Sequence, residues 1–350
     1  MRTLAEIFII VAVALLKVLI VFGALQVTIM YMILAERRVS GFMQDRLGPN
    51  RVGWQGMLQP VADGLKFLFK EDIIPSRADK VIFVIAPAMI VVPAFMTFAA
   101  IPFGDTVTIA GREVRLQIAG LNIGLLYVLA MGSISVYGII FGSWASANKY
   151  SMMGGLRSCA QMISYEIPLG LSVMGVLMLT GSLRLERVVE AQTAYLWGVV
   201  PRWNILFQPL AFLLFLISAM AENNRLPFDL PEAEQELVAG YHTEYSSIKF
   251  AMYFMAEYAA MVTSSALVVI LFLGGWHVPG LGAIGLPALL EDLIQVGAFV
   301  LKVGMFLFLY LWVRWTLPRF RYDQLMRLCW KVLLPLALAN IFVTGIVMTV

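Results

Sequence analysis

Apolar residues in this chain fall in unbroken stretches and not in alternation. Runs of about 18 or more lie near 4–35, 81–103, 121–147, 159–181, 203–221, 248–274, 293–313 and 329–350, each long enough to cross a bilayer as a helix. The ten-residue alternating segments of an outer-membrane barrel are not seen. The pattern predicts an all-α polytopic membrane protein with about eight transmembrane helices, forming a single membrane domain over 1–350. One stretch has a different period. Between Met57 and Asp72 the polar positions 59, 63, 66 and 70 form one stripe, opposite Leu58, Val61, Leu65 and Phe69. That spacing predicts an amphipathic helix at the membrane surface, with Lys66 and Lys70 toward the headgroups.

Composition agrees. Of 350 residues, 61% are hydrophobic and 13% charged, and the mean hydropathy is +0.85, which excludes a water-soluble enzyme. The net charge of +3 suggests no nucleic-acid partner. Loops 36–80, 146–160, 222–247 and 314–328 hold most of the 25 Lys and Arg, whereas the N-terminal tail and loops 104–120, 182–202 and 275–292 hold 6. By the positive-inside rule the first four face the cytoplasm, so both termini are expected on the periplasmic side. The first apolar run is longer than a signal-peptide core, and is expected to be a retained span.

Two cysteines, Cys159 and Cys329, form no CxxC, so neither an iron–sulfur cluster nor a zinc site is expected, and no metal is assigned. His242 and His277 both fall in connections, which argues against a haem between helices. Gly280, Gly282 and Gly285 spell GxGxxG after a membrane span, the wrong context for a nucleotide fold, and are expected to make a turn. Gly138 with Gly142, and Gly120 with Gly124, have the small-xxx-small spacing of close helix packing. Pro87, Pro93, Pro168 and Pro209 fall inside expected spans, where each can kink a helix.

The acids carry the functional signal. Segment 222–247 holds Glu222, Asp229, Glu232, Glu234, Glu236 and Glu244 against the single base Arg225, a local inversion on a side otherwise basic. Helix capping accounts for part of it: Asp229 and Glu232 have capping-box spacing, Pro231 suits a first turn and Gly240 a stop, predicting a short helix over 230–239. The remaining glutamates add like-charge repulsion, which favours at least one acting as a proton acceptor. Two further acids are intramembrane. Glu166 lies roughly 10 Å deep and Glu257 roughly 14 Å, at ~1.5 Å per residue. Such groups normally face a partner or a polar cavity. Lys302 is a candidate charge partner, and Lys17 another; a structural ion pair and a proton path both remain open.

The segments AERRVSGFMQDRLGPNRVG, LQPVADGLKFLFKE, ISYEIPLGLS, AENNRLPFDLPEAEQELVAGYHTEYSS, FMAEY and PRFRYDQLM occur in order from about residue 30 onward. In these the chain closely resembles the H-subunit family of bacterial NADH:quinone oxidoreductase, respiratory complex I, whose mitochondrial counterpart is subunit 1. The resemblance implies an inner-membrane subunit at the junction of the peripheral and membrane arms, not catalytic alone, partnered by other subunits and by lipid. Its substrate would be a quinone, ubiquinone being expected, with no covalently bound cofactor. NADH, FMN and iron–sulfur clusters would sit on partner subunits. By motif it implies a quinone chamber with Glu36, Arg37, Arg157, Arg225, Phe228 and Asp229. It further implies proton coupling through Glu166, Glu222, Glu232, Glu234, Glu236, Glu244 and Glu257. The amphipathic segment could then frame an opening for a lipid-soluble molecule, or be a plain surface anchor. Each arginine could orient a headgroup, pair with an acid or touch phospholipid. Two other readings stand beside this one: an ion antiporter using Glu166, Glu257 and Lys302 without a redox partner, and the membrane subunit of a membrane-bound hydrogenase.

Overall fold

Backbone polar groups in lipid must be satisfied within the segment that carries them, so long apolar stretches become helices. The computed structural model describes residues 4–109, 112–196, 200–230, 234–281 and 285–349. Helix α1 (Leu4–Met43) has 40 residues, about 60 Å at 1.5 Å each, twice the ~30 Å hydrocarbon thickness. The span expected to end at 35 therefore continues through AERRVSGFM, which contains no proline. Glu36 and Arg37 stand on a rigid helix and not in a loop.

The amphipathic segment forms α2 (Gln59–Phe69), with Pro60 in its first turn. Next come α3 (Lys80–Met96), capped by Asp79 accepting from the amides of Val81 and Ile82, and α4 (Gly124–Ala145). Helix α5 (Lys149–Thr180) starts at the cap Asn148 and stops at Gly181, which has the left-handed φ of 65°. Gly138 packs α4 onto α3: a Cβ there would lie 2.9 Å from the Ala86 carbonyl and 3.0 Å from the Ile90 amide. The Gly120–Gly124 pair makes no such approach, its nearest atoms being 3.5 and 3.7 Å away. Pro87 and Pro93 lie within α3 and Pro168 within α5, and neither helix ends at them.

The run expected as one span over 203–221 is divided. Pro209 has no N–H and disfavours helical backbone at Gln208, which has φ −130° and ψ 52°. The result is α7 (Asn204–Phe207) and α8 (Pro209–Glu222), with α6 (Leu185–Glu190) before them. Then follow α9 (Glu234–Leu237), α10 (Ser247–Phe272) and α11 (Ala288–Thr316). Finally α12 (Tyr322–Arg327) runs through a π-helical turn, Leu328–Leu333, into α13 (Leu334–Thr349). Among the described residues the strands are two small antiparallel hairpins, β1 (Thr106–Ile109) with β2 (Arg112–Arg115) and β3 (Tyr195–Leu196) with β4 (Val200–Pro201).

Among the described residues seven helices are long and apolar enough to cross a membrane, and α8, with 14 residues, is apolar but shorter. The chain is thus an all-α polytopic membrane protein. Helix α10 is its centre: every residue from Met261 to Phe272 is buried. Gly280 and Gly285 have left-handed φ in the connection after α10, Gly280 in a turn, and Gly282 lies outside the described residues. Cys329 is buried and Cys159 half-buried, both as free thiols.

Candidate functional site

The connection after α8 turns back into the protein instead of leaving it, and residues 223–225 and 227–230 are buried. Gln161 of α5 fixes this turn by donating to the carbonyls of Ala221 (2.8 Å) and Phe228 (2.7 Å). The turn delivers Arg225 to the C-terminal part of α1. Arg225 Nη1 donates to both oxygens of Glu36 at 3.2 Å, and its Nε pairs with Glu257 of α10. The guanidinium lies 4.5 Å over the ring of Tyr258, whose hydroxyl donates to Glu36 Oε2 at 2.6 Å. Arg314, in the last turn of α11, also pairs with Glu36.

Two arginines therefore face two carboxylates and a phenol in a buried cluster built from four segments. Burial alone would weaken the charge on Arg225, but Glu257, Tyr258 and Glu36 outweigh it and hold the guanidinium protonated. Glu36 and Arg225, widely separated in sequence, are thus brought together with Glu257. Tyr258 and Arg314 were not singled out by sequence reasoning. Tyr258 does lie inside the FMAEY block, next to an intramembrane acid.

The rest of the 222–230 segment is strapped down by the chain after α11. Arg319 Nη2 donates to Asp229 Oδ2 at 3.0 Å, and Phe320 stacks on Phe228 at 5.4 Å and 14°. The Phe320 amide donates to the Pro227 carbonyl at 3.1 Å. Arg37 points away from this cluster, as the next residue on a helix must, and pairs with Asp63 of α2 at 2.7 Å. Gln59 Nε2 donates to the same carboxylate at 3.1 Å, so the surface helix is tethered to the end of α1.

A second group of acids lies among α4, α5 and α8. Glu222, the last residue of α8, has Oε1 only 3.0 Å from where a Cβ on Gly132 would stand. It borders a cavity of about 80 Å³ among α3, α4, α5, α8 and α10, lined also by Thr97, Ser135, Thr263 and Ser264. Most of the lining is apolar, Leu129, Met162, Leu169, Phe215 and Leu267 among it, but at ~10–15 Å³ for one water the volume has room for a few beside Glu222 and the hydroxyls. Glu166 accepts from Ser133 of α4, the residue beside Gly132. Between the two groups, Asn223 Nδ2 donates to Ser264 Oγ (2.9 Å) and Tyr310 (3.0 Å), and those hydroxyls are 2.9 Å apart. Ser264 is seven residues from Glu257, two turns along one face of α10. Asn223 and Ser264 also line the cavity.

Glu236 and Glu244 are not brought into these groups. Glu236 pairs with Arg157 at 2.7 Å on the surface, its side chain 61% exposed. Glu244 accepts from Asn148 at 2.5 Å. Glu232 and the side chain of Glu234 lie outside the described residues, as does Pro231, so the expected helix over 230–239 is represented by the four-residue α9. Gly240 has φ 58°, the left-handed value expected of a stop.

Lys302 is placed differently from expectation. Its Nζ donates to the carbonyls of Leu273, Gly275 and His277, each at 2.9 Å, at the end of α10 remote from Glu36. An ammonium group has three donors, and all three are taken by carbonyls and not by an acid. Trp203 lies 4.9 Å beneath it. Lys17 Nζ likewise donates to a carbonyl, that of Gln117, at 3.1 Å.

Among the described residues no group of three or more His, Cys, Asp or Glu could hold a metal. The sequence profile described as NADH dehydrogenase matches residues 16–345. A protein of Geobacter sulfurreducens named as an H subunit of NADH-quinone oxidoreductase is 53% identical over 344 residues, covering 95% of this chain and 94% of that one. A Geobacter metallireducens protein of the same name is 53% identical over 345 residues, 95% of each chain. In Flavobacterium johnsoniae a protein so named is 46% identical over 334 residues, 94% of this chain and 93% of its own. Identity at this level over nearly the whole length leaves one conclusion: the chain belongs to the NADH dehydrogenase family, among the H subunits of NADH-quinone oxidoreductase.

Proposed function

We propose that this chain is the membrane subunit of a proton-pumping NADH:quinone oxidoreductase that forms part of the quinone-binding chamber and couples quinone reduction to proton translocation through buried carboxylates. The observation that carries this is the buried Glu36–Arg225–Glu257 cluster, reached by the same turn that carries Asn223, whose partners Ser264 and Tyr310 are hydrogen-bonded to each other and which with Ser264 and Glu222 lines the cavity. Reducing a quinone adds two electrons and takes up two protons. Negative charge developing near Glu36 competes with that carboxylate for Arg225 and weakens their pairing. The change in pairing reaches Glu257, and Ser264, Tyr310 and a few waters carry the proton response toward Glu222 and Glu166.

In this reading Glu36, Arg37, Arg157, Arg225, Phe228 and Asp229 border the chamber. Glu166, Glu222 and Glu257 form the inner part of the coupling set, and Glu232, Glu234, Glu236 and Glu244 its acidic connecting segment. The quinone, ubiquinone in this proposal, enters from lipid beside α2, whose exposed Leu65, Leu68 and Phe69 suit a membrane surface. NADH, FMN and iron–sulfur clusters belong to partner subunits, which supply the electrons. The chain sits in the bacterial inner membrane with α7 and α8 together as the eighth crossing, ~28 Å over 19 residues. In this reading both termini lie on the periplasmic side and the Glu36 cluster at the cytoplasmic end.

Photo-crosslinking of the intact complex with a quinone analogue tests the reading. Labelling within 36–70 or 222–247 is expected. Labelling confined to other subunits removes the chamber assignment.

A further inference from the structure

Away from the acid cluster, the α4–α5 connection and the chain leading into α3 enclose a depression of about 350 Å³. Its walls are fixed by the backbone: the Asp79 amide donates to the Ala145 carbonyl at 3.1 Å, and the Ala78 amide to the Pro75 carbonyl at 3.1 Å. Arg77 and Lys149 both line it, both are exposed, and among the described residues neither has a carboxylate partner. The acid at its edge, Glu244, already accepts from Asn148. Two cations against one acid leave a positive excess, with the hydroxyls of Ser76 and Tyr150 as further donors.

The depression lies level with the ends of three membrane helices, α3, α4 and α5. Tyr150, 54% exposed, lines it, and Trp144, 58% exposed, stands in the last turn of α4 two residues before the lining Ser146, as aromatics do where hydrocarbon meets headgroups. Within the first two turns of α3, Val81, Val84 and Ile85 are exposed and apolar. A phosphate held between Arg77 and Lys149 would therefore carry its acyl chains onto an apolar helix surface. A free anion would use only half of these features.

We infer that this depression is a binding site for the headgroup of an anionic phospholipid, of the phosphatidylglycerol or cardiolipin type, held by Arg77 and Lys149. The site is separate from the quinone reading and stands or falls without it.

The test places a photoreactive benzophenone side chain at Ser76 in the intact complex, reconstituted into vesicles of equal phosphatidylglycerol and phosphatidylcholine. Adducts with phosphatidylglycerol are expected to dominate. They should fall roughly 5-fold for Arg77→Gln and again for Lys149→Gln, the loss of one surface charge each, and recover in Arg77→Lys. Excess inorganic phosphate should leave them unchanged. Equal labelling of the two lipids, adducts to a neighbouring subunit, or suppression by inorganic phosphate would each overturn the assignment. NADH:quinone turnover, measured on the same samples, reports on the chamber reading independently.

Discussion

Arg225 grips Glu36 through one nitrogen, Nη1, which lies 3.2 Å from both carboxylate oxygens of a residue 189 positions earlier in the chain. Both side chains are buried, so each has exchanged water for the other. Removing Arg225 leaves Glu36 with Arg314 and Tyr258 but takes from Glu257 its pairing with Arg225, and breaking a buried pair in this way costs up to about 3–5 kcal/mol. Arg225→Met should therefore lower the amount of assembled complex sharply, as seen by native gel and thermal midpoint. Arg225→Lys keeps the charge but cannot bond Glu36 and Glu257 with separate nitrogens, and should fall between.

The two intramembrane acids should separate under neutralisation. Glu166 accepts from Ser133, and a glutamine there still accepts that bond, so Glu166→Gln should assemble normally while proton-coupled turnover falls. Glu257 pairs with Arg225, so Glu257→Gln should lose both turnover and thermal stability. Normal pumping in both variants would return these acids to a structural role.

Gly132 offers a cleaner probe. Gly132→Ala favours the α4 helix by roughly 0.5–1 kcal/mol, yet its methyl would press on Glu222 Oε1. Assembly should hold at wild-type levels while quinone-reductase turnover drops several-fold. Unchanged turnover would remove Glu222 from the coupling path.

Lys302→Met should behave in the opposite way. It leaves three carbonyls at the end of α10 without their donor, each costing about 1–3 kcal/mol if left unsatisfied. The thermal midpoint should fall while protons moved per electron stay constant in surviving complexes. A lowered ratio would make Lys302 a proton carrier.

The Arg37–Asp63 pair is half exposed at the arginine, and such surface pairs contribute about 0–1 kcal/mol. Asp63→Ala should leave stability alone. If α2 borders the quinone entry, the loosened helix raises KM for quinone with little change in kcat, which steady-state kinetics would read.

Local features were legible in the amino-acid order. The polar stripe at 59, 63, 66 and 70 became α2, and Gly138 became a backbone contact, because period and side-chain size are properties of a single segment. The break at Pro209 could have been read as well, since proline acts on its immediate neighbour. What the order of residues conceals is pairing across the bundle. Nothing near Arg314 or Tyr258 announces Glu36, and nothing near Lys302 announces the end of α10, since those partners are chosen by how helices pack. Acid density in 222–247 marked a real inversion of charge, but density did not tell Glu222, beside the cavity, from Glu236, on the surface.

The order in which the ribosome releases these groups follows from the cluster around Glu36. This carboxylate emerges early, while Arg225 is 189 and Arg314 278 residues behind it. Until both arrive it must stay hydrated at the bilayer edge, so the site closes only when insertion of the seventh crossing is complete. A truncated or stalled chain would then expose an unneutralised acid, giving membrane quality control a chemical mark by which to recognise it.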